Sequence, residues 1–328
     1  MAGPCVRVKP TNGEATRQRL AAAGLIDDDR QITEAEGWLY IPVNDSDRVP
    51  EELDVIKFEV PEREPETTPA DFLDFDPSYE RLGDAVLIDE DDPDRAERIA
   101  EAVLSSDLPA ETVLNRESKI KGEERVRDWD VIAGTGTEVV HREYGHEYRV
   151  DLAEAYFSPR LATERHRVSE QIQAGEHVLD MFAGVGPFAI PAAARGAEVV
   201  AVDLNPSAIE ALQENAERNG VADSVTAIHA DVRDIADEYR GWADRLIMNL
   251  PHSAATFLET AVSLAGDDCV VHYYDIQHED DPFGRGETAI RAAAEPEYDV
   301  DIDARRVVRS YAPHEVNIVI DARLRRAE

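Results

Sequence analysis

The stretch Val178-Leu-Asp-Met-Phe-Ala-Gly-Val-Gly-Pro-Phe188 decides the fold of this chain. It reads as a buried strand ending in a carboxylate, then a glycine turn, then a helix start. Gly184 and Gly186 permit a sharp turn and close approach of the backbone to a ligand. A glycine turn between strand and helix belongs at the carboxyl edge of a parallel sheet, where nucleotides bind. A phosphate cradle is disfavoured here. Asp180 occupies the strand end, no lysine follows the glycines, and Pro187 removes an N–H from the helix start. An acidic strand end suits a cationic nucleoside with an amino acid tail, and S-adenosylmethionine is such a ligand.

Working outward, Glu198-Val-Val-Ala-Val-Asp203 is a second buried strand ending in an acid, 23 residues (203 − 180) beyond the first. That interval fits one helix and one strand, and an acid there accepts hydrogen bonds from ribose hydroxyls. Asn205-Pro206 supplies an N-cap and a first-turn proline for a helix ending at Asn219-Gly220. Ser224–His229 reads as a third strand, with Asp231 placed for the adenine edge. Asp244–Met248 is a fourth, followed by Asn249-Leu250-Pro251. Asp180, Asp203, Asp231 and Asn249 thus mark four successive strand ends. An ordinary doubly wound domain with polar helix caps is the bland alternative. The four-strand register favours an S-adenosylmethionine-dependent methyltransferase of Rossmann-like α/β fold.

The 328 residues suffice for more than one domain. Residues 1–62 read as a small α+β module, with a strand at Cys5–Lys9 and a helix capped by Asn12. Residues 63–80 have linker composition, rich in proline and charge. Residues 81–150 read as a second α+β module ending in a hairpin at Glu138–Val150. The methyltransferase domain fills 151–328. Two added modules suit a large substrate gripped away from the reaction centre.

The formal charge is −36, from 70 acidic and 34 basic residues, and only four of the bases are lysine. Such acidity repels nucleic acid at low salt. At ~1 M salt the Debye length is ~3 Å, so net charge scarcely acts at a distance. Acids scattered along the chain with almost no lysine point to a salt-adapted, haloarchaeal cytoplasm, where an RNA substrate is not excluded. Cys5 and Cys269 form neither a metal spacing nor a disulfide framework. With no signal peptide and no long apolar run, the expectation is a soluble, monomeric cytoplasmic protein without metal or membrane partners.

Ahead of the glycine turn lies Tyr156-Phe-Ser-Pro-Arg-Leu-Ala-Thr-Glu-Arg-His-Arg167. If Ser158-Pro159 opens a helix, Arg160 and Glu164 share a face at i and i+4. A surface ion pair worth ~0.3–0.5 kcal/mol is the plain reading. Beside a methyl donor, the same two groups suit methylation of a lactam nitrogen: one holds the carbonyl oxygen, the other takes the ring N–H proton. Tyr156 and Phe157 add stacking surface for a flipped base, ~1–3 kcal/mol per base. Asn249-Leu-Pro-His lacks the aromatic that follows in amino-methylating enzymes, which disfavours an exocyclic amine as target.

The chain resembles the archaeal tRNA (guanine-N1)-methyltransferase family, which modifies the purine 3′ of the anticodon. The matching stretches are Lys121-Gly-Glu-Glu-Arg-Val-Arg127, His141–Gly145, Val150–Leu161 with Glu164-Arg165, Asp180–Phe188, Asn249-Leu-Pro251 and Tyr311-Ala-Pro313. The resemblance covers nearly the whole chain. It implies a Rossmann-like catalytic domain, a tRNA substrate and bound S-adenosylmethionine. It implies Glu164 as general base, Arg160 as a guanine-binding group, Asn249 as a base-positioning residue, and an upstream catalytic arginine, Arg125 or Arg127, with Arg125 preferred. The cofactor residues it implies are Tyr156, Asp180, Phe182, Gly184, Gly186, Phe188, Asp203, Leu204, Asn205, Asp231, Asn249 and Pro251. The N-terminal module would read the outer corner of tRNA. The rivals are a wyosine-pathway aminocarboxypropyl transferase, a bifunctional wyosine-precursor methyltransferase, a small-molecule methyltransferase, and a non-enzymatic tRNA-binding protein.

Overall fold

The structure is a computed structural model that describes residues 2–63, 66–118, 122 and 126–327. It divides into two compact units, Met1–Thr67 and Thr68–Glu328. In the first, β1 (Gly3–Val8), α1 (Pro10–Ala22), β2 (Thr33–Ala35), β3 (Trp38–Pro42) and β4 (Asp54–Phe58) form a four-stranded antiparallel sheet, in order β2-β3-β1-β4, with one helix. Val6, Val8, Leu20, Leu25 and Ile41 make its core. The helix starts earlier than its sequence suggests. Pro10, with φ fixed by its ring, takes the first turn, so Asn12 lies inside the helix rather than capping it.

The second unit opens with a mixed four-stranded sheet: β5 (Tyr79–Leu82), β6 (Ala85–Ile88), α2 (Pro93–Ser105), β7 (Thr112–Arg116) and β8 (Trp129–Ala133). Asp92 caps α2 by accepting the Asp94 N–H at 3.1 Å. The hairpin β9 (Glu138–Glu143) and β10 (His146–Asp151) follows. Its Val139, Tyr148 and Val150 share one apolar cluster with Leu87, Leu114, Val185 and Ile190. The segment before residue 151 is therefore packed onto the glycine turn.

The remaining elements are α3 (Ala162–Ser169), β11 (His177–Asp180), α4 (Ala189–Ala194), β12 (Glu198–Asp203), α5 (Pro206–Arg218), β13 (Val225–His229), β14 (Ala243–Met248), α6 (Leu258–Leu264), β15 (Ala265–His278), α7 (Gly284–Ala294), β16 (Tyr298–Ala312) and β17 (Glu315–Arg326). They build a seven-stranded sheet of order β13-β12-β11-β14-β15-β17-β16. β11 to β15 run parallel, and β17 returns antiparallel between β15 and β16. Strands covered on both faces read as continuous apolar runs, which is why β11, β12 and β14 stand out in the sequence.

Alternation sorts the side chains onto two faces. Leu179, Val202, Leu246, Met248 and Tyr273 join one cluster with α6 and α7. Val178, Ala201, Ile247, Tyr274 and Val319 join the other, with Val168 of α3 and Ala189 of α4. By the same alternation Asp180, Asp203, Arg245, Asn249, His272 and Asp321 are in phase with the α3–α4 face.

Arginine meets carboxylate across most of the described surface. Arg7 meets Asp54, Arg142 and Arg218 meet Glu147, Arg149 bridges Glu138 and Glu214, and Arg323 reaches Asp268 and Asp303.

Candidate active site

Asp180 closes β11 and is 1% exposed. Its Oδ1 accepts the Phe182 N–H at 3.3 Å, while Oδ2 has no partner. Burial pushes its carboxyl up to about 7, with the nearby charge of Asp203 adding to the rise. A buried acid with an open oxygen is a seat for a cation. Asp203, at the end of β12, is differently placed. Its Oδ2 accepts the Gly184 N–H at 2.7 Å and its Oδ1 the Asn205 N–H at 2.9 Å. Burial raises its carboxyl, opposed by those backbone bonds. Asp203 therefore ties the glycine turn to the second strand end, with lone pairs left for a ribose.

The two glycines do different work. A side chain at Gly184 (φ +52°) would meet only the Tyr156 carbonyl at 3.9 Å, so this residue fronts open space. A side chain at Gly186 (φ +92°) would crowd Ile190 and Leu212 at 3.0–3.2 Å, so this residue serves helix packing. Phe182 meets Phe257 edge-on at 4.9 Å, and Phe188 is buried against Tyr274. Tyr156 and Leu204 are exposed beside the strand ends. Asn205 caps α5 through the Ser207 N–H at 2.9 Å and donates to the Glu154 carbonyl at 2.6 Å, so both ends of its amide are occupied. Asp231 pairs with Arg233, which holds its carboxyl below the usual range, and Arg233 lies 5.0 Å over the Phe257 ring. Asn249, just past β14, keeps a buried Oδ1 with no partner, and Pro251 follows in the same loop.

Glu164 is 6% exposed on α3. The Arg167 fork donates to both its oxygens, Nε at 3.0 Å to each and Nη2 at 2.6 Å to Oε1. The Tyr274 hydroxyl donates to Oε1 at 2.9 Å. Arg306 Nε stands 4.0 Å from Oε2, so Oε2 is the less occupied oxygen. The expected pairing of Glu164 with Arg160 is not formed. Pro159–Leu161 is a 3₁₀ turn, and α3 begins only at Ala162. Three residues per turn break the i, i+4 alignment. Arg160 instead makes a two-pronged bond to Glu80, at 2.9 Å on each arm, and is half exposed.

Arg125 lies outside the described residues. Arg127 is half-buried with its guanidinium 5.4 Å over the Trp129 ring. Burial lowers its pKa, and it is within electrostatic reach of Arg116, Tyr156 and Glu80. It therefore stands near the Arg160–Glu80 pair. Arg165, which no spacing in the sequence singles out, is 3% exposed and clamps Glu143 with two bonds of 2.6 Å. Among the described residues, no group of three His, Cys, Asp or Glu side chains is placed to hold a metal ion, and no helix is long and apolar enough to cross a membrane.

The open atoms on Asp180 and Asn249, the exposed front of Gly184 and the acid at Asp203 fit a nucleoside bearing a cationic tail. The TRM5/TYW2 methyltransferase domain matches residues 139–302. The tRNA methyltransferase 5 N-terminal domain matches 5–51, and the TYW2 N-terminal domain matches 65–137. The chain is 40% identical to the tRNA (guanine(37)-N(1))-methyltransferase Trm5b of Pyrococcus abyssi, over 97% of this chain and 98% of that one. This chain belongs to the TRM5/TYW2 methyltransferase family. It is 35% identical to a tRNA(Phe) (4-demethylwyosine(37)-C(7)) aminocarboxypropyltransferase of Pyrococcus horikoshii, over 74% of this chain and 88% of the relative. Among solved structures, the complex of aTrm5 and tRNALeu superposes with TM-score 0.70 at 31% identity, covering 97% of this chain and 99% of that one. Methanocaldococcus jannaschii TYW2 in complex with AdoMet gives 0.61 at 28% identity, covering 76% and 100%. Membership in the family makes S-adenosylmethionine the cofactor of the TRM5/TYW2 domain.

Proposed function

We propose that this chain methylates N1 of guanosine 37 in tRNA, beside the anticodon, with Glu164 as the general base. The observation that carries the reading is Glu164 itself. It is a buried carboxylate, bonded to Tyr274, on the sheet face shared by Asp180 and Asn249, with Oε2 the less occupied oxygen. Asp180, Asp203, Gly184, Phe182, Tyr156 and Leu204 would hold S-adenosylmethionine, which supplies an electrophilic methyl group when bound. Guanine N1 is a weak nucleophile while it carries its proton. As N1 gains the methyl, its N–H proton passes to Glu164 Oε2, and the ring stays neutral. Asn249 Oδ1 is available to accept a hydrogen bond from the flipped base. Arg160, released from Glu80, and Arg127 or Arg125 would stabilise charge growing on O6. Residues 1–62 would form the module that reads the tRNA, 81–150 a middle module and 151–328 the catalytic domain; the expected linker 63–80 is shorter at its end, because β5 already begins at Tyr79 and pairs with β6. The acid-rich, lysine-poor surface supports a cytoplasm of high salt.

The rival transfer of an aminocarboxypropyl group is disfavoured by the match at residues 5–51 to the tRNA methyltransferase 5 N-terminal domain and by the longer coverage against Trm5b. Incubation of the protein with labelled S-adenosylmethionine and unmodified tRNA in molar KCl, then nucleoside analysis, tests the reading. The expected product is 1-methylguanosine. An aminocarboxypropyl nucleoside, or no RNA product, overturns it.

A further inference from the structure

Behind Glu164 runs a chain of buried polar groups with no part in the reaction described above. Arg167 divides its fork. One side holds Glu164, and the other donates to Asp321 of β17, Nη1 to Oδ2 at 2.6 Å and Nη2 to Oδ1 at 3.1 Å. Asp321 is 3% exposed and meets His272 Nδ1 at 2.7 Å. His272 is fully buried, and its Nε2 lies 2.7 Å from Arg245 Nη1. Arg245 in turn donates to Glu176 at 2.7 Å. A guanidinium can only donate, so His272 Nε2 must accept, and its single proton sits on Nδ1, pointing at Asp321. His272 is thereby neutral. Burial lowers its pKa, and the guanidinium groups of Arg245 and Arg167 act in the same direction. Burial also works to raise Asp321, but its bonds from His272 and Arg167 outweigh that and keep it ionised.

One cation thus lies between two buried carboxylates. We propose that Asp321, held by His272, sets both the basicity and the aim of Glu164 through their shared Arg167, making Asp321 and His272 positioning residues for methyl transfer. This rests on the reading of Glu164 as the proton acceptor. A buried acid held by an undivided guanidinium is a poor base, because the ion pair favours its charged form. Asp321 accepts from both terminal nitrogens of Arg167, so the guanidinium does not bear on Glu164 alone. The two-sided fork also fixes the carboxylate plane, leaving Oε2, which takes one Arg167 N–H, the less occupied side. The groups facing Glu164 are Arg167 on its own helix, Tyr274 of β15, Arg306 of β16 and, across Arg167, Asp321 of β17.

Two variants move this balance in opposite directions. Asp321→Asn removes the competing charge, so Arg167 bears wholly on Glu164. The acid limb of the single-turnover pH profile is expected to move down by about one pH unit, and the plateau rate to fall by about ten-fold as the base weakens. Tyr274→Phe removes a donor to the charged form of Glu164. Its acid limb is expected to move up by about half a pH unit. Rapid-quench rates at saturating tRNA and S-adenosylmethionine in molar KCl, from pH 5 to 9, read both. Slower rates with unmoved limbs in both variants would mean a scaffold role and overturn the proposal. If Asp321→Asn does not fold by thermal melting, the Tyr274→Phe limb decides, and an unmoved limb overturns the proposal. Glu164→Gln in the same assay keeps the two ideas apart. A large loss there with unmoved limbs elsewhere defeats only this inference, whereas near-normal rates in Glu164→Gln defeat the base assignment and the inference with it.

Discussion

Asp180 at the end of β11 and Glu164 on α3, which packs against the same face of the sheet, are carboxylates of similar burial, yet their surroundings are opposite. Asp180 has a single hydrogen bond, from a backbone N–H, and an oxygen with none. Glu164 has a fork, a phenol and a second arginine at 4.0 Å. Unpartnered burial raises an acid, as it does Asp180, so that the free protein holds it half protonated near neutrality. An acid left in want of a counter-charge prepares a binding site. An acid supplied with one from behind is held still for proton transfer. The difference separates a carboxylate with an open oxygen from a carboxylate bonded on both oxygens, the contrast on which the proposed roles of cation seat and general base rest.

Four substitutions break or sharpen that contrast. The largest effect is expected from Glu164→Gln, which keeps shape but cannot take a proton. Single-turnover rates should fall ~10²–10⁴-fold with tRNA and cofactor affinities nearly unchanged; a loss of only a few-fold would make Glu164 a structural acid. Arg167→Met strands two buried carboxylates and should cost about 3–5 kcal/mol of stability in denaturant unfolding. If stability is unchanged, the fork is not the partner that Glu164 depends on.

Asp180→Asn comes next and is expected to act with opposite signs in the free and bound protein. A carboxyl raised from 3.8 to about 7 contributes its stability below pH 4, and that contribution is lost as pH rises through 7. The free variant should therefore be the more stable one at pH 8, by up to about 4 kcal/mol, with the advantage gone at pH 4. Its affinity for S-adenosylmethionine should be weaker by about 1.5–3 kcal/mol for a lost charged bond. Melting curves at both pH values and calorimetry check the pair of outcomes; equal stability at pH 8 would show that Asp180 is solvated. The smallest change is expected from Glu80→Gln, which loosens the half-exposed Arg160 while its amide oxygen can still accept from Arg116, the second arginine on Glu80. Stability should shift by less than about 1 kcal/mol, and a gain in tRNA affinity would identify Arg160 as a gripping group held in reserve.

The strand ends were readable because each is announced locally. Apolar runs end in Asp180, Asp203 and Met248, and Asn205-Pro206 caps the helix where the sequence places it. Glu164 stands out in the sequence as a candidate, but the partners that hold it do not. Arg167 is three residues away, while Tyr274 and Asp321 are separated from α3 by 110 and 154 residues along the chain. Nothing local in His272-Tyr-Tyr-Asp275 announces the partners of its polar groups, because His272 meets Asp321 only once β17 pairs beside it and the Tyr274 hydroxyl meets Glu164 only once α3 packs on the sheet. The spacing argument for Arg160 failed for a related reason. Pro159 tightens the backbone into a 3₁₀ turn, and helical arithmetic does not apply until Ala162. Gly186 shows the same limit, since its neighbour Leu212 arrives from α5.

The pairing of arginine with carboxylate across the surface has a consequence for how such a protein meets a polyanion. A free arginine that docks on a phosphate drives binding by releasing condensed counterions, and the binding constant then falls steeply with salt. An arginine already held by an acid, as Arg149, Arg305 and Arg323 are, exchanges one anion for another and releases few ions. RNA binding built from such exchanges has a shallow salt dependence and persists where counterion release no longer drives association.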